Sequence, residues 1–162
     1  MDYIIREMLP QEYGLLYNFL YEAIFIPEGV EAPDRSIINK PELQVYISGF
    51  GTKKDDLCYV AEINGNIAGT VWVRDMEDYG HIGDGILSLA ISLYKEYRGC
   101  GAGTKLMEKM CEELKDRGHK KVSLSVQKAN YAVKMYKKLG FKIISENEEE
   151  YIMVCRLQYG IK

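Results

Sequence analysis

The sequence predicts an α/β (α+β) chain: a central mixed, mostly antiparallel sheet of about six to seven strands with helices on both faces. Three observations predict it. Stretches with a period of two outnumber those with a helical period. The two kinds intermix along the chain. Tight hairpin signals stand beside longer crossovers, which a mixed sheet needs. At 162 residues the chain is long enough for one substantial core, and no linker or internal repeat divides it, so 1–162 reads as a single domain.

Taken in order, Tyr3 to Met8 reads as a first strand. Pro10 then opens a helix, since proline lacks the N–H that a first turn leaves unpaired. Leu16, Leu20 and Ile24 form one stripe of that helix, with Tyr13, Tyr17 and Tyr21 beside it. It ends before Pro27, because the residue ahead of a proline avoids helical geometry. An acidic, breaker-rich loop from Pro27 to Asp34 follows, and a second helix is expected from Pro41 to about Ser48. Leu57 to Ile63 and Ile67 to Arg74 read as strands, and Asn64-Gly65-Asn66 between them is a hairpin signal. Asp75 to Asp84 is a polar connection.

The stretch that organises the chain comes next. Leu87 to Leu93 alternates Leu, Leu, Ile, Leu with Ser, Ala, Ser, a strand pattern. Lys105 to Arg117 carries Leu106, Met110 and Leu114 one helical turn apart. Between them lie Gly99, Gly101 and Gly103 on alternate positions. A strand that enters a helix through glycines can hold phosphate. Backbone N–H groups and the positive end of the helix dipole converge there, and glycine lets the ligand come close. The spacing is neither a P-loop nor a G-x-G-x-x-G dinucleotide fingerprint.

Beyond Gly118, Lys121 to Val126 reads as a strand, Gln127 to Asn130 opens a short helix that ends at Gly140, and Phe141 to Ser145 and Tyr151 to Leu157 close the sheet.

Composition narrows the classes. No basic n-region precedes an apolar stretch at Met1 to Glu7, so no signal peptide is read. The apolar run Leu15 to Ile26 is broken by Asn18 and Glu22 and falls short of the roughly 20 residues of a membrane span. A cytoplasmic chain without membrane partners is expected. Cys58, Cys100, Cys111 and Cys155 are scattered without a C-x-x-C pair, and only His81 and His119 could assist them. Free thiols and no metal are therefore expected. Net charge is −3, yet Lys115 to Lys142 holds nine basic residues against one acid, leaving twelve basic and twenty-three acidic elsewhere. That asymmetry suits an anionic cofactor on one side and a cationic substrate on the other. The lysines are too dispersed, and too poor in interleaved aromatics, for nucleic acid.

Arg98-Gly99-Cys100-Gly101-Ala102-Gly103 resembles the pyrophosphate loop of the GNAT superfamily of acyl-CoA N-acyltransferases, Arg/Gln-x-x-Gly-x-Gly/Ala. Asn130 to Phe141 is similar to a second signature of that family, N-x-x-A-x-x-x-Y-x-x-x-G-F, with the alanine offset by one to Ala132. The resemblance covers roughly Tyr3 to Leu157 and implies a GNAT-like sheet that splays open beyond the strands ending at Leu93 and Val126. It implies acetyl-CoA as acyl donor in that gap. Ladder groups of Ile91, Ser92 and Leu93 would take the pantetheine arm. Backbone N–H groups of Arg98, Gly99, Cys100, Gly101, Ala102, Gly103 and Thr104 would take the pyrophosphate. Asn130 would bind pantetheine or brace the strand end, and Tyr136 would stand near the thioester sulfur.

The implied reaction is direct acetyl transfer to a primary amine. An amine must shed a proton before attack, and a departing thiolate gains from a proton donor such as Tyr136. Many family members carry a Glu near the position of Ser88, where this chain has only Ser and Ala on that face. The candidates left for a base are Glu28, placed first because the loop after the first helix borders the acceptor side in this fold, then Asp84, His81, or water relayed to a backbone carbonyl. The expected partner is a small-molecule or peptide amine; the broad aromatic face of the first helix reads as core, with contact to a second copy of the chain as the alternative. Two other readings stay open. One is a catalytically silent CoA-binding regulatory domain, which the missing Glu favours. The other is acetylation of protein N-termini.

Overall fold

The alternation in Leu57–Ile63 feeds two cores at once. In the computed structural model, which describes residues 3–157, Leu57, Tyr59 and Ala61 face one side of the sheet while Cys58 and Val60 face the other. Both faces are covered, as a strand with so little polar character requires.

Seven strands form a single sheet: β1 (Tyr3–Glu7), β2 (Leu57–Ile63), β3 (Asn66–Arg74), β4 (Leu87–Leu93), β5 (Lys121–Gln127), β6 (Lys142–Glu146) and β7 (Glu150–Arg156). Their spatial order is β1-β2-β3-β4-β5-β7-β6. Every neighbouring pair is antiparallel except β4 and β5. The β2–β3 hairpin turns through Asn64 (φ 51°) and Gly65 (φ 84°). Two successive positive φ values define the turn that matches strand twist, which is why Asn-Gly sits there.

Helix α1 (Leu16–Ala23) and the short α2 (Pro41–Gln44) cover one face, over Met8, Val60, Trp72 and Met76. On the other face α3 (Ala102–Asp116) and α4 (Ala132–Lys138) bury Leu106, Met110, Leu114 and Val133 against β2, β3, β4 and β5. Tyr13, Tyr17 and Tyr21 pack, partly buried, into the first of these cores.

Helix bounds depart from the sequence pattern in three places. Pro10–Leu15 is a 3-10 turn, not the start of the α-helix. Glu12 fixes it by accepting the Leu9 N–H at 2.8 Å and pairing with Arg6, and Gly14 discourages a continuous helix there. Helix α2 stops at Gln44, and the chain continues in turns toward Gly49 and Gly51, both at positive φ. Helix α3 begins at Ala102, three residues ahead of Lys105, because the left-handed Gly101 and not the end of the glycine run forms its boundary.

The feature that matters for function is the join between β4 and β5. Their pairing consists of Leu87 with Val122 and Ser88 with Ser123, and it goes no further. From Leu89 onward the two strands part, each still hydrogen-bonded to its outer neighbour, β3 or β7.

Candidate active site

Two cavities occupy the opening between β4 and β5. One, about 370 Å³, runs from Ile91–Leu93 to the glycine loop and is bounded by Arg98, Gly99, Gly101, Gly103 and Thr104. The other, about 410 Å³, lies on the α1 and α2 side and is bounded by Tyr46, Tyr79, Ala90, Ser125 and Glu150, among others. Ile91, Asn130 and Tyr136 line both, so the cavities meet at these residues.

The loop end exposes main chain at the start of a helix. Gly99 (φ 78°) and Gly101 (φ 89°) adopt left-handed geometry, and a Cβ at either would meet nothing within 4 Å. The loop is thus open toward the groove, with backbone exposed to a ligand. Helix α3 starts at once, with no side chain capping its first N–H groups. Free donors and a helix dipole in this arrangement can hold an anion. Gly103 lies where a Cβ would stand 3.5 Å from Leu93 Cδ1, in ordinary contact with the strand end.

The side chains of the loop diverge. Arg98 turns away from the helix N-terminus, and its own N–H is taken by Lys95 O at 3.2 Å, so the expected run of loop donors begins at Gly99 and not at Arg98. The Arg98 Nε donates to Leu93 O at 3.0 Å and its Nη2 reaches Glu22 O at 3.3 Å, tying the end of β4 to the end of α1. Cys100 points outward with Sγ on Tyr97 O, and Ala102 is buried in the core. Neither borders the groove, so their contribution is confined to the main chain. Ser92 lines the groove, but its hydroxyl donates to Phe19 O at 2.6 Å.

Tyr136 is 7% exposed, held in α4 against Phe141 with ring centroids 6.0 Å apart. Burial pushes its phenol well above the ordinary tyrosine value, so it keeps its proton at neutral pH. Its hydroxyl makes no hydrogen bond among the described residues. Asn130 uses Oδ1 to accept the Ala132 N–H at 2.9 Å, a side-chain cap on the first turn of α4. Its position beside both cavities and its cap on α4 place it at the strand end, in reach of the groove.

The candidates for a base are scattered. Glu28 stands exposed on the loop beyond α1 and borders neither cavity. His81 and Asp84 border a separate depression with Arg74 and Lys53, and His81 Nδ1 faces Met76 O at 3.0 Å. Sequence reasoning passed over Tyr46, Asp78 and Tyr79. Tyr46 and Tyr79 border the cavity on the α1 and α2 side, and Asp78 lies next to Tyr46. They come from two irregular segments with no periodicity or motif to mark them.

With this geometry in view, the comparisons with known proteins speak to one class. The Acetyltransferase (GNAT) family pattern matches residues 18–141, and the chain belongs to that family. It is 34% identical over 92 residues to the probable N-acetyltransferase camello of Xenopus tropicalis, a match that covers 54% of this chain and 40% of that protein. It is 33% identical over 61 residues to the [ribosomal protein bS18]-alanine N-acetyltransferase of Haemophilus influenzae, covering 38% of this chain and 42% of that one. The chain thus spans less than half the length of these two relatives. Among solved structures, the PaiA N-acetyltransferase of Thermoplasma acidophilum, in complex with coenzyme A, superposes with a TM-score of 0.70 over 96% of this chain and 99% of that one, at 20% identity. That likeness is one of fold.

Proposed function

We propose that this chain is an N-acetyltransferase that moves acetyl directly from acetyl-CoA to a primary amine. The observation that carries the reading is the meeting of two cavities at Tyr136, where β4 and β5 part, with an anion-binding glycine loop at the far end of one of them. Each cavity suits one substrate. Main-chain donors from Gly99 to Thr104 at the start of α3 fit a pyrophosphate, and the free edges of β4 and β5 fit an amide-bearing arm. A thioester at the junction would lie beside Tyr136 on one side and open to the acceptor cavity on the other.

Tyr136 then holds a proton at its phenolic oxygen and gives it to the departing thiolate, whose conjugate acid has a cysteine-like pKa of about 8.5. The strand end near Leu93 offers main-chain N–H to the carbonyl as charge develops on its oxygen. The acceptor is a small molecule or a peptide amine. A relative named for acting on a ribosomal-protein alanine keeps the peptide option in view. A second reading, a CoA-binding domain without catalysis, is favoured by Ser88, which puts a neutral hydroxyl on the central strand where this family often has a carboxylate.

The test is calorimetric binding of acetyl-CoA followed by a screen of primary amines and alanine-initiated peptides, with CoA release as the readout. Binding with transfer to at least one amine supports the enzyme. Tight binding with no transfer supports the regulatory reading, and no binding removes both.

A further inference from the structure

Ser88 lies on β4 with its side chain wholly buried, and its hydroxyl has no hydrogen-bond partner among the described residues. The only other buried side-chain oxygen in that condition among them is Oδ1 of Asp78. The two orphans belong to one cluster. Asp78 sits on the β3–β4 connection, with Ser88 and the phenol of Tyr46 close to its carboxyl and not hydrogen-bonded to it among the described residues. Buried polar atoms are almost always satisfied, so two unsatisfied atoms in one place ask for an explanation.

The cluster is firmly seated. Gly80, two residues on from Asp78, lies against the backbone of β5, where a Cβ would come within 3.1 Å of Leu124 and Ser125. Its carbonyl accepts the Ser123 hydroxyl at 2.7 Å. The main chain of Tyr46 is pinned from β3: Trp72 Nε1 donates to Tyr46 O at 3.0 Å, and Arg74 Nη1 donates to Val45 O and Ser48 O. Tyr46 borders the acceptor cavity together with Ala90, Ser125 and Tyr136.

We propose that Tyr46 and Asp78 are the proton-accepting pair of the acceptor site, replacing the carboxylate that β4 lacks at Ser88: Tyr46 meets the incoming amine, and Asp78 is the positioning residue behind it that receives the proton. The proposal rests on the acetyl-transfer reading. As an N–H bond of the substrate ammonium breaks, its proton bonds to the phenolic oxygen of Tyr46, and the phenol's own proton passes to the Asp78 carboxylate. The amine keeps the electron pair and becomes neutral, Asp78 becomes a carboxylic acid, and Tyr46 is unchanged. Asp78 returns the proton to solvent before the next turnover.

The electrostatics agree with that role. Burial raises the Asp78 carboxyl above the ordinary aspartate value, against the opposing pull of Ser88, Tyr46 and the Gly80 N–H. A carboxylate so raised is a better base near neutral pH. The same burial, reinforced by Asp78, keeps Tyr46 protonated, so it can only relay a proton and never serve as an anion. Ser125 from β5 faces Tyr46, while Glu42 and Glu150 act on the adjoining Tyr79. His81 turns its ring to Met76 O and Asp84. Glu28 has no comparable path, being exposed and outside the cavity lining.

The experiment compares wild type with Asp78→Asn, Tyr46→Phe and the control Glu28→Gln. Acetyl-CoA is the donor, and phenethylamine, putrescine and an alanine-initiated peptide are the acceptors. For wild type, kcat/KM should rise as Asp78 loses its proton and then level off. In Asp78→Asn and Tyr46→Phe it should fall about 10²-fold or more at neutral pH, with the rise displaced toward the pKa of a free alkylamine, about 10. Glu28→Gln should leave the profile in place. Thermal melting separates this role from a structural one. A raised carboxyl contributes stability that is full below the unfolded pKa of about 3.9 and is lost as pH rises through the higher folded value. Asp78→Asn should therefore melt at or above wild type at neutral pH, with the gap closing under acid. Profiles unmoved in both variants, a shift confined to Glu28→Gln, or an Asp78→Asn protein that melts below wild type at neutral pH each overturn the pair while the proposed function stands. A wild type that acetylates none of the three amines overturns the proposed function, and the proton step with it.

Discussion

Tyr136 draws its character from where α4 places it, buried in the core yet lining both cavities. Tyr136→Phe keeps the ring and its packing on Phe141 and removes only the donor. The expected result is a turnover number at least about 10²-fold lower with acetyl-CoA affinity little changed, read in single-turnover kinetics beside calorimetry. A different residue tests the frame around the site. Arg74 is 2% exposed and pairs with Asp56 at 3.0 Å while donating to the Val45 and Ser48 carbonyls. Arg74→Met strands the buried Asp56 charge and frees the Val45, Ser48 and Gly49 carbonyls, and breaking a buried pair costs about 3–5 kcal/mol. Urea unfolding should show that loss as a lower midpoint with an unchanged slope. Since Arg74 also holds the turn that carries Tyr46, the acceptor side should suffer before the glycine loop does.

The β4–loop–α3 unit shows how far local sequence reaches. The strand Leu87–Leu93, the glycine turn and the amphipathic run of α3 are each marked by a period or a backbone requirement, and the structure places them as the pattern predicts. Gly101 carries the sharpest test of the element. At φ 89° a side chain is strained even in open space, so Gly101→Ala should destabilise the protein by about 1 kcal/mol. Gly101→Glu adds a negative charge at the helix N-terminus where the pyrophosphate is proposed to lie. Calorimetry should show acetyl-CoA binding lost while far-UV circular dichroism stays native, and an unchanged affinity would remove the phosphate-loop assignment. Elements without such markers were less legible. The 3-10 turn at Pro10–Leu15 depends on Glu12 reaching Leu9 and Arg6, a contact set by the strand pairing of Arg6 and not by any helical period.

Across the whole molecule, the seven-stranded mixed sheet and its two covered faces followed from alternation and hairpin signals, because those are written residue by residue. The acceptor side did not follow. Tyr46 and Asp78 lie in irregular segments, and they meet only because Trp72 and Arg74 on β3 and Ser123 on β5 pull those segments over the opening. Such convergence leaves no mark at fixed spacing. Charge distribution is a property of the same scale. The nine basic residues from Lys115 to Lys142 are spread over the end of α3, the start of β5, the β5–α4 connection, α4 and the start of β6, and none lines either cavity. If they act on the cofactor, its affinity should fall as salt rises and the screening length shortens to about 8 Å at physiological ionic strength. Titrating CoA and dephospho-CoA across a salt series checks this. A steeper slope for CoA places the lysines near the 3′-phosphate, and identical slopes place them elsewhere.

The two-residue join of β4 to β5 has a thermodynamic corollary. The sheet is in effect two blades, β1–β4 and β5–β7, fastened at Leu87–Ser88 and unlaced beyond. A molecule that lies along both free edges would serve as the missing lacing, so occupancy and folding should be linked. At a ligand concentration of a hundred times Kd, that linkage amounts to about 2.7 kcal/mol. Amide hydrogen exchange should register it locally, slowing at Ala90–Leu93 and Ser125–Gln127 when acetyl-CoA is added and leaving the β2–β3 hairpin as it was.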